Sequence, residues 1–375
     1  MPGVLSLPTP RKKEGLSVEI PMSPLPERPA ILTKLPMKSA CSIFLGLVAF
    51  SLPAFGFVAQ DPSALLNGSP AAISYSGFRT GQHPDRGDGA KNPTRQQILE
   101  DLRILSEQAG FGLIRLYDSG QNSEDVLAVI AEEKIPLKVM LGAWLDAELS
   151  NHQSCAWLTE PIPEETLASN RLSNEVEVKQ AIALAKRYPE IIAAVNIGNE
   201  ALVDWNDHMV PLDRLVGFLK QAREALDQPV TTAENYAAYA RYGKVLSQAV
   251  DFAGIHTYPV WEGKTIEQAM DYTVQNMTAV QQAMPGVPLA IAEAGWATTA
   301  SEFPTQANQE NQVRYYKALM DWAKQNNLTV FWFEAFDEDW KGDSGNLQGA
   351  EKHWGLFFID RKPKQAAPQV GSEKS

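Results

Sequence analysis

The feature that most narrows the fold is an alternation that begins near residue 71: short apolar or β-branched runs separated by longer segments of helical period. The runs are Ala71 to Phe78, Gly112 to Asp118, Leu137 to Trp144, Ile191 to Gly198, Val230 to Asn235, Phe252 to Tyr258, Pro288 to Trp296 and Leu328 to Phe336. Strands apolar on both faces need helices to cover them, which is the arrangement of βα units around a parallel sheet. In the intervening segments, Ile98, Leu102 and Leu105 share one helical face, as do Leu212, Leu215 and Leu219, and Val313, Tyr316 and Met320. Thr94 with Gln97, and Thr265 with Gln268, have the spacing of a capping pair and predict helix starts. Eight such units predict an α/β fold, a closed (β/α)8 TIM barrel forming a single catalytic domain, rather than an open doubly wound sheet. No Gly-x-Gly-x-x-Gly follows the first run and no turn resembles a phosphate loop, so nucleotide binding is not expected.

The barrel is assigned to residues 60–375. Residues 1–36 are Pro-rich without sustained apolar period, and read as a disordered or mis-assigned extension ahead of a true start at Met37. Met37-Lys38, the apolar run Ile43 to Leu52 and the small residues near Ala54 and Ala59 predict a secretory signal over 37–59. The alternative is an N-terminal membrane anchor, although the run falls short of the roughly 20 residues a span needs. Either way the protein is expected to be exported, as a secreted, periplasmic or anchored enzyme. The long segment Leu145 to Asn174, with Trp157, Pro161 and Pro163, is expected to fold over the barrel mouth.

Composition enters as a filter. Of 375 residues, 44% are hydrophobic and 21% charged, which excludes a wholly disordered chain and a multi-span membrane protein. A net charge of −12 offers no footprint for nucleic acid and suits a neutral substrate. There are two cysteines, and Cys41 lies in the signal, leaving Cys155 without a disulfide partner. The five histidines are scattered, without metal-ligand spacing, so neither metal nor cofactor is expected, and no required protein partner is evident.

In such a barrel the chemistry sits at the carboxyl ends of the strands. The fourth run ends Asn196-Ile197-Gly198-Asn199-Glu200, the seventh Ala292-Glu293-Ala294-Gly295-Trp296, and the eighth Glu334-Ala335-Phe336-Asp337-Glu338. An isolated rim carboxylate is usually an ion-pair partner; carboxylates at several strand ends suggest more. Glycoside cleavage needs one protonated and one ionised carboxyl flanking the anomeric carbon, about 5 to 5.5 Å apart for retention and about 6.5 Å or more for inversion.

These residues carry a resemblance that spans Tyr75 to about Asp360. The stretches Ile114-Arg115-Leu116-Tyr117, Val195 to Leu202, Glu293 to Trp296 and Phe333 to Lys341 together resemble glycoside hydrolase family 17, the β-1,3-glucanases and related glucanosyltransferases. The resemblance implies Glu200 as acid/base, Glu293 as nucleophile, Asn199 on the sugar 2-hydroxyl, and Tyr258 orienting the nucleophile. It also implies Glu338 and Lys341 as a pair near the centre, with Tyr75, Arg115 and Tyr117 lining its floor. A neutral sugar also needs flat aromatic surfaces; Trp261 and Trp296 are the expected contacts, and Trp332, mid-strand, is expected to be structural. The segment Tyr75 to Gln82 resembles bacterial members more than plant or fungal ones. The substrate implied is a β-1,3-glucan polysaccharide or oligosaccharide, cleaved in endo or exo fashion. Alternatives are transglycosylation by the same residues, a β-1,4-glycanase, or a non-catalytic glucan-binding barrel.

Overall fold

The computed structural model describes Leu65 and residues 71–85, 89–156 and 158–370. The extension 1–36 and the signal or anchor 37–59 lie outside the described residues. Eight strands, all parallel to their neighbours, close in sequence order into a barrel. They are β1 (Ala72–Ser74), β2 (Leu113–Arg115), β3 (Lys138–Ala143), β4 (Ile192–Asn199), β5 (Val230–Asn235), β6 (Ala253–His256), β7 (Leu289–Ala294) and β8 (Val330–Trp332). Helices α1 (Arg95–Arg103), α2 (Gln121–Glu133), α3 (Glu164–Arg187), α4 (Leu212–Ala225), α5 (Tyr236–Leu246), α6 (Ala269–Ala283) and α7 (Gln309–Gln325) fall between them. Seven strands lie inside their expected runs and β4 extends one residue past its run, to Asn199, and this is the (β/α)8 barrel.

Side chains alternate across a strand, so each contributes to two cores. Ala72, Leu113, Met140, Ala194, Ala233, Phe252, Ala290, Ala292 and Phe331 form a small interior cluster; Ile73, Ile114, Val139, Leu141, Val195 and Ile291 belong to the larger cluster shared with the helices. Two residues beyond Ala72 and Leu113, on the same inward face, come Ser74 and Arg115, both fully buried. The interior thus turns from apolar to polar toward the carboxyl ends, where the site lies. Close packing there needs a glycine: a Cβ on Gly142 of β3 would stand 2.3 Å from the Tyr117 backbone.

Local signals hold unevenly. Thr94 caps α1 reciprocally with Gln97, and Ile98, Leu102 and Leu105 are buried, the last in a π-helical turn that extends the helix over Ile104–Gln108. Thr265 receives only half of its expected box: its N–H reaches Gln268 Oε1 at 3.0 Å, in a turn preceding α6. On α7 the buried face runs through Gln312, Tyr315 and Leu319, while Val313, Tyr316 and Met320 are half-buried. The reason is polar: the Gln312 amide is sequestered to donate to the carbonyls of Trp296, Trp354 and Gly355, which hydrophobic periodicity passes over. The segment 145–174 is helical from Glu164 onward, where α3 begins.

Tyr75 does not line the floor of the cleft. It is buried in the outer core with its hydroxyl 3.3 Å from Asp101 of α1, a carboxylate with no exposure. Asp101 also accepts two bonds from Arg361, at 2.9 and 2.7 Å, and one from Arg79 at 2.7 Å. Burial pushes its carboxyl up and the two guanidinium groups oppose that. The cluster ties α1 to the loop after β1 and to the C-terminal segment. Removing one partner of a buried ion pair strands the other, so Asp101→Ala should lower unfolding free energy by about 3–5 kcal/mol; urea titration followed by tryptophan fluorescence measures it.

Candidate active site

The end of β4 is a left-handed turn: φ is 79° at Gly198 and 48° at Glu200. A non-glycine residue there costs on the order of 1–3 kcal/mol and persists only where neighbours impose it. They do so here. Glu200 N–H donates to Ala233 O at 2.7 Å, and the next two N–H groups, of Ala201 and Leu202, donate to the Glu234 carboxylate at 2.9 and 3.2 Å. Glu234 is wholly buried, and burial pushes its carboxyl well up. From the other side His208 Nε2 lies 2.8 Å from Asn199 O. The turn holds Glu200 at the carboxyl end of β4 with its Oε2 receiving the Asn206 amide at 2.9 Å.

Glu293 enters from β7. Its Oε1 accepts Arg115 Nη1 at 2.7 Å and Tyr117 at 2.9 Å, and its Oε2 accepts Tyr258 at 2.6 Å. Arg115, fully buried, also donates to Asn199 Oδ1 at 2.6 Å. Arg115 therefore orients Glu293 and the amide next to Glu200, and Tyr117 and Tyr258, both half-buried, border the nucleophile.

Between the carboxylates stands His256, at the end of β6 and paired in register with Glu293. Its Nδ1 lies 3.0 Å from Glu200 Oε1 and 3.5 Å from Glu293 Oε2, so those two oxygens can be no further apart than the sum, 6.5 Å. Its Nε2 faces Arg115 Nη1 at 3.2 Å. Guanidinium only donates, so Nε2 is the acceptor in that contact, and Nδ1 is the nitrogen that faces the carboxylates. Burial pushes the Glu200 carboxyl up, while the hydrogen bond and charge of a protonated His256, with Asn206 and His208, bring it below the usual range.

Glu338 and Lys341 do meet, at 3.1 Å, but the glutamate is 1% exposed and its oxygens are engaged by Ser76 Oγ at 2.7 Å and the Phe78 N–H at 3.0 Å. Glu338 thus fastens the loop after β1 to the loop after β8 instead of facing a sugar. Lys341 bonds Glu334 as well. Trp296 is likewise not a sugar contact: it is fully buried, its Nε1 donating to Gln306 O at 2.9 Å. Trp332 is buried too. Trp261 is 42% exposed, edge-on to Phe303 with centroids 4.9 Å apart.

Four residues near the acids escaped sequence reasoning: His256, Asn206, Glu234 and Glu351. For His256 a signal existed, a histidine two residues before Tyr258 at a strand end. Glu351 lies in a 3-10 turn beyond β8. Burial pushes its carboxyl to about 7, Lys341 opposing and Glu293 and Glu200 adding to the rise. Nothing in its local sequence separates it from a surface acid.

A (β/α)8 barrel holding two carboxylates about one histidine at its carboxyl rim defines a glycosidase-type site. The chain matches the model of the BtgE/BtgC glycoside hydrolase domain over residues 72–355, and it belongs to that family. It is 27% identical to a glucan 1,3-beta-glucosidase of Arthroderma benhamiae, over 67% of this chain and 78% of that protein. It is 24% identical to a putative glucan endo-1,3-beta-glucosidase of Aspergillus niger, over 75% of this chain but only 41% of the relative's length. Among solved structures, an endo-laminarinase from Formosa Hel1_33_131 superposes with a TM-score of 0.65 at 25% identity, covering 80% of this chain and 85% of that one. An active-site mutant of Rhizomucor miehei beta-1,3-glucanosyltransferase, in complex with laminaritriose, shares the fold, with a TM-score of 0.62 at 21% identity over 82% and 98% of the two chains.

Glu177 of α3 offers a test of the electrostatics around the rim. It accepts the N–H groups of Ser119 and Trp144 at 2.7 and 3.2 Å, and burial pushes it to about 7. A carboxyl whose folded pKa exceeds its unfolded one stabilises below the unfolded value, and that contribution is lost as pH rises through about 7. Glu177→Gln keeps an acceptor oxygen and removes the titration. The fall in melting temperature between pH 5 and pH 8 should therefore be smaller in the variant, as read by calorimetry.

Proposed function

We propose that this protein cleaves β-1,3-glucan with retention of anomeric configuration. The observation that carries the reading is that His256 Nδ1 reaches both carboxylates, 3.0 Å from Glu200 and 3.5 Å from Glu293, so their facing oxygens are at most 6.5 Å apart, no wider than the narrowest gap, about 6.5 Å, of an inverting pair. The names of the relatives, glucan 1,3-beta-glucosidase and endo-laminarinase, support the linkage. Glu293 attacks the anomeric carbon while the bond to the leaving oxygen breaks and that oxygen takes the proton of Glu200. Glu200, now ionised, takes a proton from water, whose oxygen displaces Glu293 and frees the sugar. The Asn199 oxygen is held by Arg115, which leaves its NH2 group for the 2-hydroxyl. Trp261 supplies an aromatic face, and Tyr117, Tyr258 and Lys341 complete the polar border. A polysaccharide cannot cross a membrane, so the secretory reading of residues 37–59 belongs to the same proposal.

Transfer to a second sugar in place of water uses the same intermediate, and the shared fold with a beta-1,3-glucanosyltransferase supports this second reading. A time course on linear β-1,3-oligosaccharides decides between them: shorter products mean hydrolysis, longer ones transfer. Proton NMR should show the β-anomer appearing first. Glu293→Ala should lower turnover by at least about 10³-fold. Absence of wild-type turnover would sink the substrate assignment. His256→Ala, which removes the side chain that touches both acids, should reduce kcat by about 10²-fold with little change in KM.

A further inference from the structure

The loop after β4 carries a tryptophan that the site described so far does not use. Trp205 is 43% exposed, and its indole makes no ring contact or hydrogen bond among the described residues. Exposure of one large apolar side chain is ordinary; exposure on a fastened loop is less so. The carbonyls on either side of Trp205, of Asp204 and Asn206, both accept the side-chain amide of Asn151, at 2.8 and 2.7 Å. Asp204 O also accepts Ser154 Oγ at 2.7 Å. The loop base is closed by Val210 N–H on Ala201 O at 2.9 Å, and Asn206 Nδ2 holds Glu200 Oε2. Hydrogen bonds from the segment after β3 therefore hold the Trp205 backbone in place, one residue from the partner of the catalytic acid.

The position has a chemical meaning. Glu200 delivers its proton to the leaving oxygen, so the sugar bearing that oxygen sits on the Glu200 side of the cleft, beside this loop. After the first step the same place receives the acceptor, water or sugar. A flat apolar surface there would hold a pyranose by its C–H face while Glu200 addresses its hydroxyl, and a fastened backbone leaves only the two side-chain torsions of the indole to be ordered on binding. The geometry points to Trp205 as the stacking platform for the leaving-group and acceptor sugar, and hence as a determinant of the balance between transfer and hydrolysis. This rests on the β-glucan reading above. It concerns the acceptor half of the cleft.

The test compares the full-length protein with Trp205→Ala and Trp205→Phe on two substrates of equal donor length. One is a β-1,3-linked hexasaccharide; the other is an aryl glycoside whose leaving group is small and activated. Stacking on the leaving sugar predicts that Trp205→Ala lowers kcat/KM for the hexasaccharide about tenfold and for the aryl glycoside less than about threefold. It also predicts a lower ratio of transfer to hydrolysis products at high oligosaccharide concentration, largely restored by Trp205→Phe, which keeps a flat face. Equal falls on both substrates, or no change on either, overturn the assignment of Trp205 and leave the β-glucan reading standing. No wild-type turnover of either substrate overturns both.

Discussion

A guanidinium group at the centre of a barrel persists only where acceptors surround it, and Arg115 has gathered them. Its Nη1 donates to Glu293 Oε1 and to Ala292 O at 3.0 Å, and lies against His256 Nε2; its Nη2 donates to Asn199 Oδ1. One buried cation on β2 thus sets the nucleophile on β7, the amide beside the acid on β4, and the histidine on β6. Lysine could not take its place, having no planar fork with which to reach three strands at once.

Further buried charge holds the loops around this barrel. Lys364, whose ammonium burial pushes down, is held by Asp337 at 2.7 Å and Thr298 at 2.7 Å; Lys341 joins Glu334 and Glu338; Arg361 and Arg79 share Asp101. Ion pairs of this kind contribute little net stability against apolar packing, but fail badly when halved. Here they are consistent with a division of labour: the apolar interior and the helix layer stabilise the barrel, and the charged clusters hold long loops in one arrangement above it. The loops after β1 and β8 are joined through Glu338, those after β3 and β4 through Asn151 and through the Glu148 and Leu149 N–H groups on Met209 O, at 3.0 Å each.

One point of backbone strain positions a reactive group. The positive φ at Glu200 is imposed by Glu234, a residue that meets no substrate and whose carboxylate is spent on two backbone N–H groups. Moving Glu234 would release the turn and, with it, the aim of the acid.

The sequence by itself determined the eight strands, their order around the barrel and the two carboxylates at strand ends, because all of these follow from apolar periodicity and from the polar residues that end each run. The tertiary structure decided which of the flanking residues face the cleft. Tyr75, Trp296 and Glu338 carry side chains suited to sugar but are buried against Asp101, Gln306 and Ser76, while His256 and Glu351 arrive from segments whose local pattern says nothing of the centre. The physical reason is that a period of two residues tells which side of a strand a group occupies, whereas what a side chain meets beyond the strand end depends on loops closed by partners as distant in sequence as Ser76 and Glu338.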